Sequence, residues 1–112
     1  MATITQAQYR AACAKAMSED ELLAQVRALA TTLGWLGYHT HRSDRSDPGF
    51  PDLTLVKAGR LVFAELKTQK GKATLAQTEW LCALKQSAAD VYLWRPEHLI
   101  NGSIEAILRG RQ

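Results

Sequence analysis

Asp52, Glu65 and Lys67 fall within one stretch, GFPDLTLVKAGRLVFAELK (Gly49 to Lys67), where two apolar strand-like runs carry acids at positions suited to core residues. Only Ala58 and Gly59 separate Lys57 from Arg60, the length of a tight hairpin loop with glycine available for a positive φ. If Lys57 opposes Arg60, counting back sets Leu55 against Val62, Leu53 against Ala64 and Asp52 against Glu65. The two acids then share a face. Directly opposed side chains have Cβ atoms roughly 4.5 to 5.5 Å apart, and like charges there are destabilising. Carboxylate oxygens at that spacing suit a hard divalent cation such as Mg²⁺. Lys67, two residues beyond Glu65 on the same face, brings an ammonium to the edge of the site. A Glu-x-Lys triplet by itself is a weak signal, and a surface salt bridge between Lys67 and one acid is the structural alternative. The signal gains weight because Pro51-Asp52 opens one strand while Glu65 and Lys67 close its partner.

The elements that would hold these residues can be read from apolar spacing. Thr5 to Met17 has helical composition with a Thr5-x-x-Gln8 cap, and Ser18 to Gly34 is a firmer helix with Leu22, Leu23, Val26, Leu29, Ala30 and Leu33 on one stripe. Strands are expected over Trp35–His41, Asp52–Lys57 and Arg60–Lys67. Thr74 to Gln86 reads as a helix carrying Leu75, Trp80, Leu81 and Leu84. Asp90 to Arg95 reads as a final strand closed by Pro96, and Ser103 to Arg109 as a last short helix. The order α-β-β-β-α-β-α makes an α/β layered domain the natural class. With 112 residues, 46% of them hydrophobic, the chain is long enough for one core and one site.

Composition narrows the function classes. No apolar run approaches a membrane span and the N-terminus lacks the pattern of a signal peptide, so an intracellular, cytoplasmic protein with no membrane partner is expected. Cys13 and Cys82 lack metal-ligand spacing and are expected as buried, reduced thiols. The net charge is +3, and eleven of the fourteen Lys and Arg residues follow position 40. That bias suits a polyanionic partner, although ordinary solvated surface charge also produces it. Arg42, Ser43 and Arg45, in the loop RSDRSDPGFP, are placed for phosphate contacts, and Lys70 and Lys72 form a second basic edge. A flexible charged loop has the same composition. His39 and His41 invite a metal reading, but with carboxylates already in place a satisfied polar or substrate-facing role is preferred.

GFPDLTLV, FAELK and Gln77-Thr78-Glu79-Trp80 together resemble the VRR-NUC branch of the PD-(D/E)xK nuclease superfamily, over about residues 18 to 96. The family pattern has an acid on the first helix, G-x-P-D before the second strand, E-x-K on the third and Q-x-x-W on the next helix. For the helix acid, Glu21 has a structural explanation as the partner of Ser18 in a capping box. Glu19 has none, and it stands three, four and seven residues before Leu22, Leu23 and Val26, on the sheet-facing stripe. Glu19 is therefore the preferred acid and Glu21 the second choice. Gln77 remains open between a capping box with Thr74 and a place beside the active site, and Trp80 is read as core.

The resemblance implies a restriction-endonuclease-like core with a mixed four-stranded sheet between helices. It implies Mg²⁺-dependent hydrolysis of DNA phosphodiester bonds, with Mn²⁺ substituting. Asp52, Glu65, the backbone carbonyl of Leu66 and Glu19, directly or through water, would hold the metal. Lys67 would orient or deprotonate the attacking water, and Gln77 would stand beside it. Stand-alone relatives of this kind, from phage or bacteria, imply a homodimer acting on branched DNA such as four-way (Holliday) junctions in repair or recombination. The competing reading is an inert DNA-binding or assembly module that kept the fold.

Overall fold

A computed structural model describes residues 3–41 and 47–110 of the protein. The elements follow the order α1 (Gln6–Ala16), α2 (Glu19–Thr32), β1 (Leu36–His39), β2 (Leu53–Lys57), β3 (Arg60–Leu66), α3 (Leu75–Lys85), β4 (Asp90–Trp94), α4 (Pro96–Ile100) and α5 (Ser103–Leu108). The four strands form one mixed sheet in the order β1-β2-β3-β4, antiparallel except for the parallel β3–β4 pair. This is the mixed four-stranded α/β architecture expected from the sequence. Among the described residues, no helix is long and apolar enough to cross a membrane.

The hairpin forms in the counted register, with Lys57 opposite Arg60 and Leu53 opposite Ala64. Ala58 and Gly59 both take positive φ, +48° and +81°, the backbone that a two-residue turn needs to match the twist of its strands. Alternation along the strands then sorts side chains by face. Leu53, Leu55, Val62, Ala64 and Leu66 are buried against Leu22, Val26 and Ala30 of α2 and Ile104 and Leu108 of α5. Phe63 points to the other face, where Phe50 stacks edge-on against it and against Trp80 of α3. Trp80 is thus a packing residue. Trp35 closes the far end of the core by donating its indole N–H to the Leu108 carbonyl at 3.0 Å, with Arg60 over its ring.

Helix starts are set locally. Thr5, Ser18 and Thr74 each cap a helix, with Gln8, Glu21 and Gln77 reaching back to the cap N–H. Pro96, expected to close the last strand, follows the end of β4 and also opens α4. A proline at the first helical position lacks an N–H that would be unsatisfied anyway, and its fixed φ suits the helix. Two helices therefore precede the hairpin and two follow β4. The cysteines depart from expectation in burial: Cys13 is half-buried and Cys82 exposed, both as free thiols. Cys82 follows the buried Leu81 on α3 and so turns away from the packed stripe. Leu75 likewise points to solvent, since it starts the helix before the stripe begins.

Gly49 positions the start of β2. Its φ is +96°, and a Cβ there would lie 2.5 Å from the carbonyl carbon of Ala76 and 2.8 Å from the Gln77 nitrogen. The loop before Asp52 therefore rests directly on the backbone of α3. Gly49→Ala should cost about 1–3 kcal/mol through a strained φ and a backbone clash, read as a lower denaturant midpoint. Ala58→Asn should act in the opposite sense, raising stability by about 0.5–1 kcal/mol, because asparagine tolerates the left-handed backbone better than alanine.

Candidate active site

Asp52 stands where the loop becomes β2, one residue beyond the last ladder pair with β3. Its Oδ2 accepts a 2.8 Å hydrogen bond from the Leu66 N–H. Its backbone carbonyl accepts from the Thr40 N–H at 2.8 Å, and the Thr40 hydroxyl donates to the Pro51 carbonyl. β1 thus fixes the Pro51-Asp52 backbone while β3 fixes the carboxylate. In a strand the N–H and C=O of one residue point to the same edge, so the Leu66 carbonyl lies on the Asp52 side. The Lys67 N–H points the other way, to the Trp94 carbonyl of β4 at 3.0 Å.

Glu65 is 1% exposed, and neither carboxylate oxygen has a hydrogen-bond partner. Burial pushes its pKa up to about 8, the neighbouring Asp52 carboxylate and Glu19 add to the rise, and Lys67 opposes it. Lys67 is also buried, at 8% exposure, and makes no ion pair among the described residues. The surface salt bridge that could have explained it is absent there. An orphaned buried carboxylate beside a second acid fits a bound divalent cation, which would supply what the protein does not.

A solvent-open cavity of about 460 Å³ lies over this end of the sheet, lined by Glu19, His39, Thr40, His41, Asp52 and Leu66 among others. Glu19 is half-buried on the cavity side of α2, whereas Glu21 is exposed and engaged in the Ser18 cap. Among the described residues no three His, Cys, Asp or Glu side chains converge as a ready metal cluster. The Asp52–Glu65 pair with the Leu66 carbonyl is accordingly the donor set at hand, and Glu19 faces it across the cavity. Gln77 is committed to the Thr74 cap, with its Oε1 2.8 Å from the Thr74 nitrogen, in the same turn of α3 that supports Gly49. Lys70 and Lys72 are exposed beyond β3. Arg42, Ser43 and Arg45 lie outside the described residues.

Both histidines face the cavity, their ring centroids 4.9 Å apart. Two residues apart on an extended segment, they fall on one side of the chain, and the sheet turns that side to the cavity. Arg95 carried no signal in the sequence. Its guanidinium donates to the Thr68, Gln69 and Gly71 carbonyls, fixing the loop that follows Lys67.

No protein-family model matches the sequence, and no curated protein matches it. A solved structure described as a VRR_NUC domain does superpose on it, with a TM-score of 0.66 and 23% sequence identity, over 80% of this chain and 97% of that one. The chain has the fold of a VRR_NUC domain. The superposition agrees with the architecture implied by the PD and ExK motifs, and it spans nearly all of the matched domain.

The buried carboxylate has a consequence for stability. Between an ordinary glutamate value of about 4.5 and about 8, the folded metal-free chain keeps a proton that the unfolded chain has released. Stability therefore falls as pH rises through this window, and the full cost is present above it. In EDTA, Glu65→Gln should match the wild type near the acid end and exceed its stability at alkaline pH, by a few kcal/mol. Mg²⁺ or Mn²⁺ should then raise the melting temperature of the wild type at alkaline pH but not that of the variant. A gap that is independent of pH and of metal would dissociate Glu65 from both effects.

Proposed function

We propose that the protein is a Mg²⁺-dependent deoxyribonuclease that hydrolyses phosphodiester bonds in branched DNA. The observation that carries this reading is the orphaned Glu65 carboxylate beside Asp52 and Lys67, beneath an open cavity on the fold of a VRR_NUC domain. The neighbour's name points to the same chemistry.

Asp52, Glu65 and the Leu66 carbonyl would hold Mg²⁺, or Mn²⁺ in its place, with Glu19 reaching the site through water. A divalent cation bound there supplies Lewis-acid polarisation of a phosphate oxygen and a more acidic water. Asp52 is prepared for this role because the Leu66 N–H holds Oδ2 in place. Lys67, shielded from bulk water, orients the attacking water and offsets the negative charge that develops on the phosphate. Gln77 supports the site through the α3 turn on which Gly49 rests. His39 and His41 line the same cavity, where their ring N–H groups can donate to phosphate oxygens. Lys70 and Lys72 would extend the positive charge along the DNA, and Arg42, Ser43 and Arg45 are further candidates for phosphate contacts.

Symmetric cutting of a four-way junction needs two active sites, and a homodimer is part of the proposal. Support comes from Leu36, Tyr38, Val56 and Leu61, apolar or aromatic residues exposed on the sheet near its β1 edge, where a second copy would be accommodated.

The test is cleavage of a four-way junction beside a linear duplex of the same sequence, in Mg²⁺ and in Mn²⁺. Paired symmetric cuts in the junction are expected, and Lys67→Ala should slow them by at least about 10²-fold while still binding the junction in EDTA. Binding without cutting by the wild type in either metal would identify an inert DNA-binding module, and a Lys67→Ala variant as fast as the wild type would remove the role of Lys67.

A further inference from the structure

Away from the candidate active site, a second groove of about 400 Å³ runs between α1, α4 and the loop after β3. Its floor is apolar, with Ala14 and Ile100, and its rim carries Arg10 and Lys15 of α1 and Lys70 of the loop. Glu97 is the one acid among the residues lining it, and its Oε1 lies 3.6 Å from His98 Nε2. Among the described residues, none of the three cations forms an ion pair. Three unpaired positive charges around one concavity are complementary to a polyanion.

The groove has no lining residue in common with the candidate active-site cavity, but the chain joins the two on both sides. On one side, Ala14 and Lys15 line the groove, and the chain passes through Met17 to Ser18 and Glu19, which line the cavity. On the other, Leu66 lines the cavity and the chain runs through Lys67 to Gln69 and Lys70, which line the groove. Three residues of chain span at most about 11 Å, so the edges of the two concavities lie within the reach of one polynucleotide.

The Lys70 wall is built in advance. Arg95 donates to the Thr68 carbonyl at 2.8 Å and the Gly71 carbonyl at 2.6 Å, while the Gln69 side chain accepts from the Glu97 N–H at 3.1 Å. The loop carrying Lys70 is thereby tied to the start of α4. A fixed backbone lowers the ordering cost of a contact made there.

We propose that the α1–α4 groove is a second nucleic-acid subsite, in which Arg10, Lys15 and Lys70 bind backbone phosphates of a DNA strand that continues beyond the candidate active site. Contacts of this kind position the polymer without reading its sequence, and their number sets the salt dependence of binding. The identity of the polymer as DNA rests on the nuclease reading; the location of the subsite rests on the groove.

The experiment measures binding by the full chain, in EDTA, of a fluorescein-labelled duplex of about 30 base pairs across a range of salt concentrations. Arg10→Ala/Lys15→Ala should weaken binding about tenfold near 0.1 M salt and reduce the slope of log K against log salt by about 2, one for each phosphate no longer neutralised. The charge-matched pair Arg27→Ala/Lys85→Ala, on α2 and α3 outside the groove, should change binding much less. Equal losses from the two pairs would mean that only overall charge matters, and unchanged binding by the groove pair would remove the subsite; either overturns the proposal. Melting temperatures equal to wild type confirm that the variants are folded. If the wild type cuts junction DNA while the groove pair binds normally, the subsite fails alone. If binding falls as expected but the wild type never cuts, the nuclease reading fails and the subsite stands.

Discussion

A carboxylate shut away from water without a donor is the constraint around which this end of the sheet is arranged. Glu65 sits in β3 beyond a run of apolar residues, and strand alternation turns it to the sheet face opposite that of Ala64 and Leu66, the face that also carries Phe63. Relocating the acid would mean breaking the alternation that forms the core. The chain instead surrounds it with a second acid, which together with burial raises the Glu65 pKa, a buried lysine that opposes the rise, and a cavity open to solvent beside it.

Most of the surrounding structure serves to hold the partners of that group. β1 grips the Pro51-Asp52 backbone through Thr40, β3 grips the Asp52 carboxylate through the Leu66 N–H, and α3 supports the approaching loop at Gly49. Three different elements thus locate one side chain. Lys67 is located by the β3–β4 pairing and by the loop that Arg95 clamps behind it. Rigid support of this kind matters for a site whose chemistry depends on the placement of a few polar groups.

The helices divide the remaining work. α2 and α5 bury one sheet face, and α2 begins with the Ser18 cap that places Glu19 over the cavity and leaves Glu21 to satisfy the backbone. The same arrangement recurs at α3, where Gln77 closes its own cap while the adjoining turn receives Gly49. Capping residues and candidate site residues are neighbours because both occupy helix starts at the same end of the sheet.

Much of this was legible in the sequence because it depends on local periodicity. A two-residue loop with Gly59 determines the hairpin register, and strict alternation then places Asp52 beside Glu65; the S-x-x-E and T-x-x-Q spacings determine three helix starts. Other features could be read only from tertiary structure. Pro96 both follows the end of β4 and begins α4, and the packing of that helix against α1 joins segments far apart in sequence. The placing of His39 and His41 along the cavity, the hold of Arg95 on the Lys67 loop across 24 to 27 residues of sequence, and the meeting of α1 with Lys70 all depend on contacts between distant segments. Sequence alone determined the pairing of the acids, since neighbours on a hairpin are neighbours by counting. Tertiary structure decided that Glu65 would be dry, because burial is set by what packs over a residue and not by the residue itself.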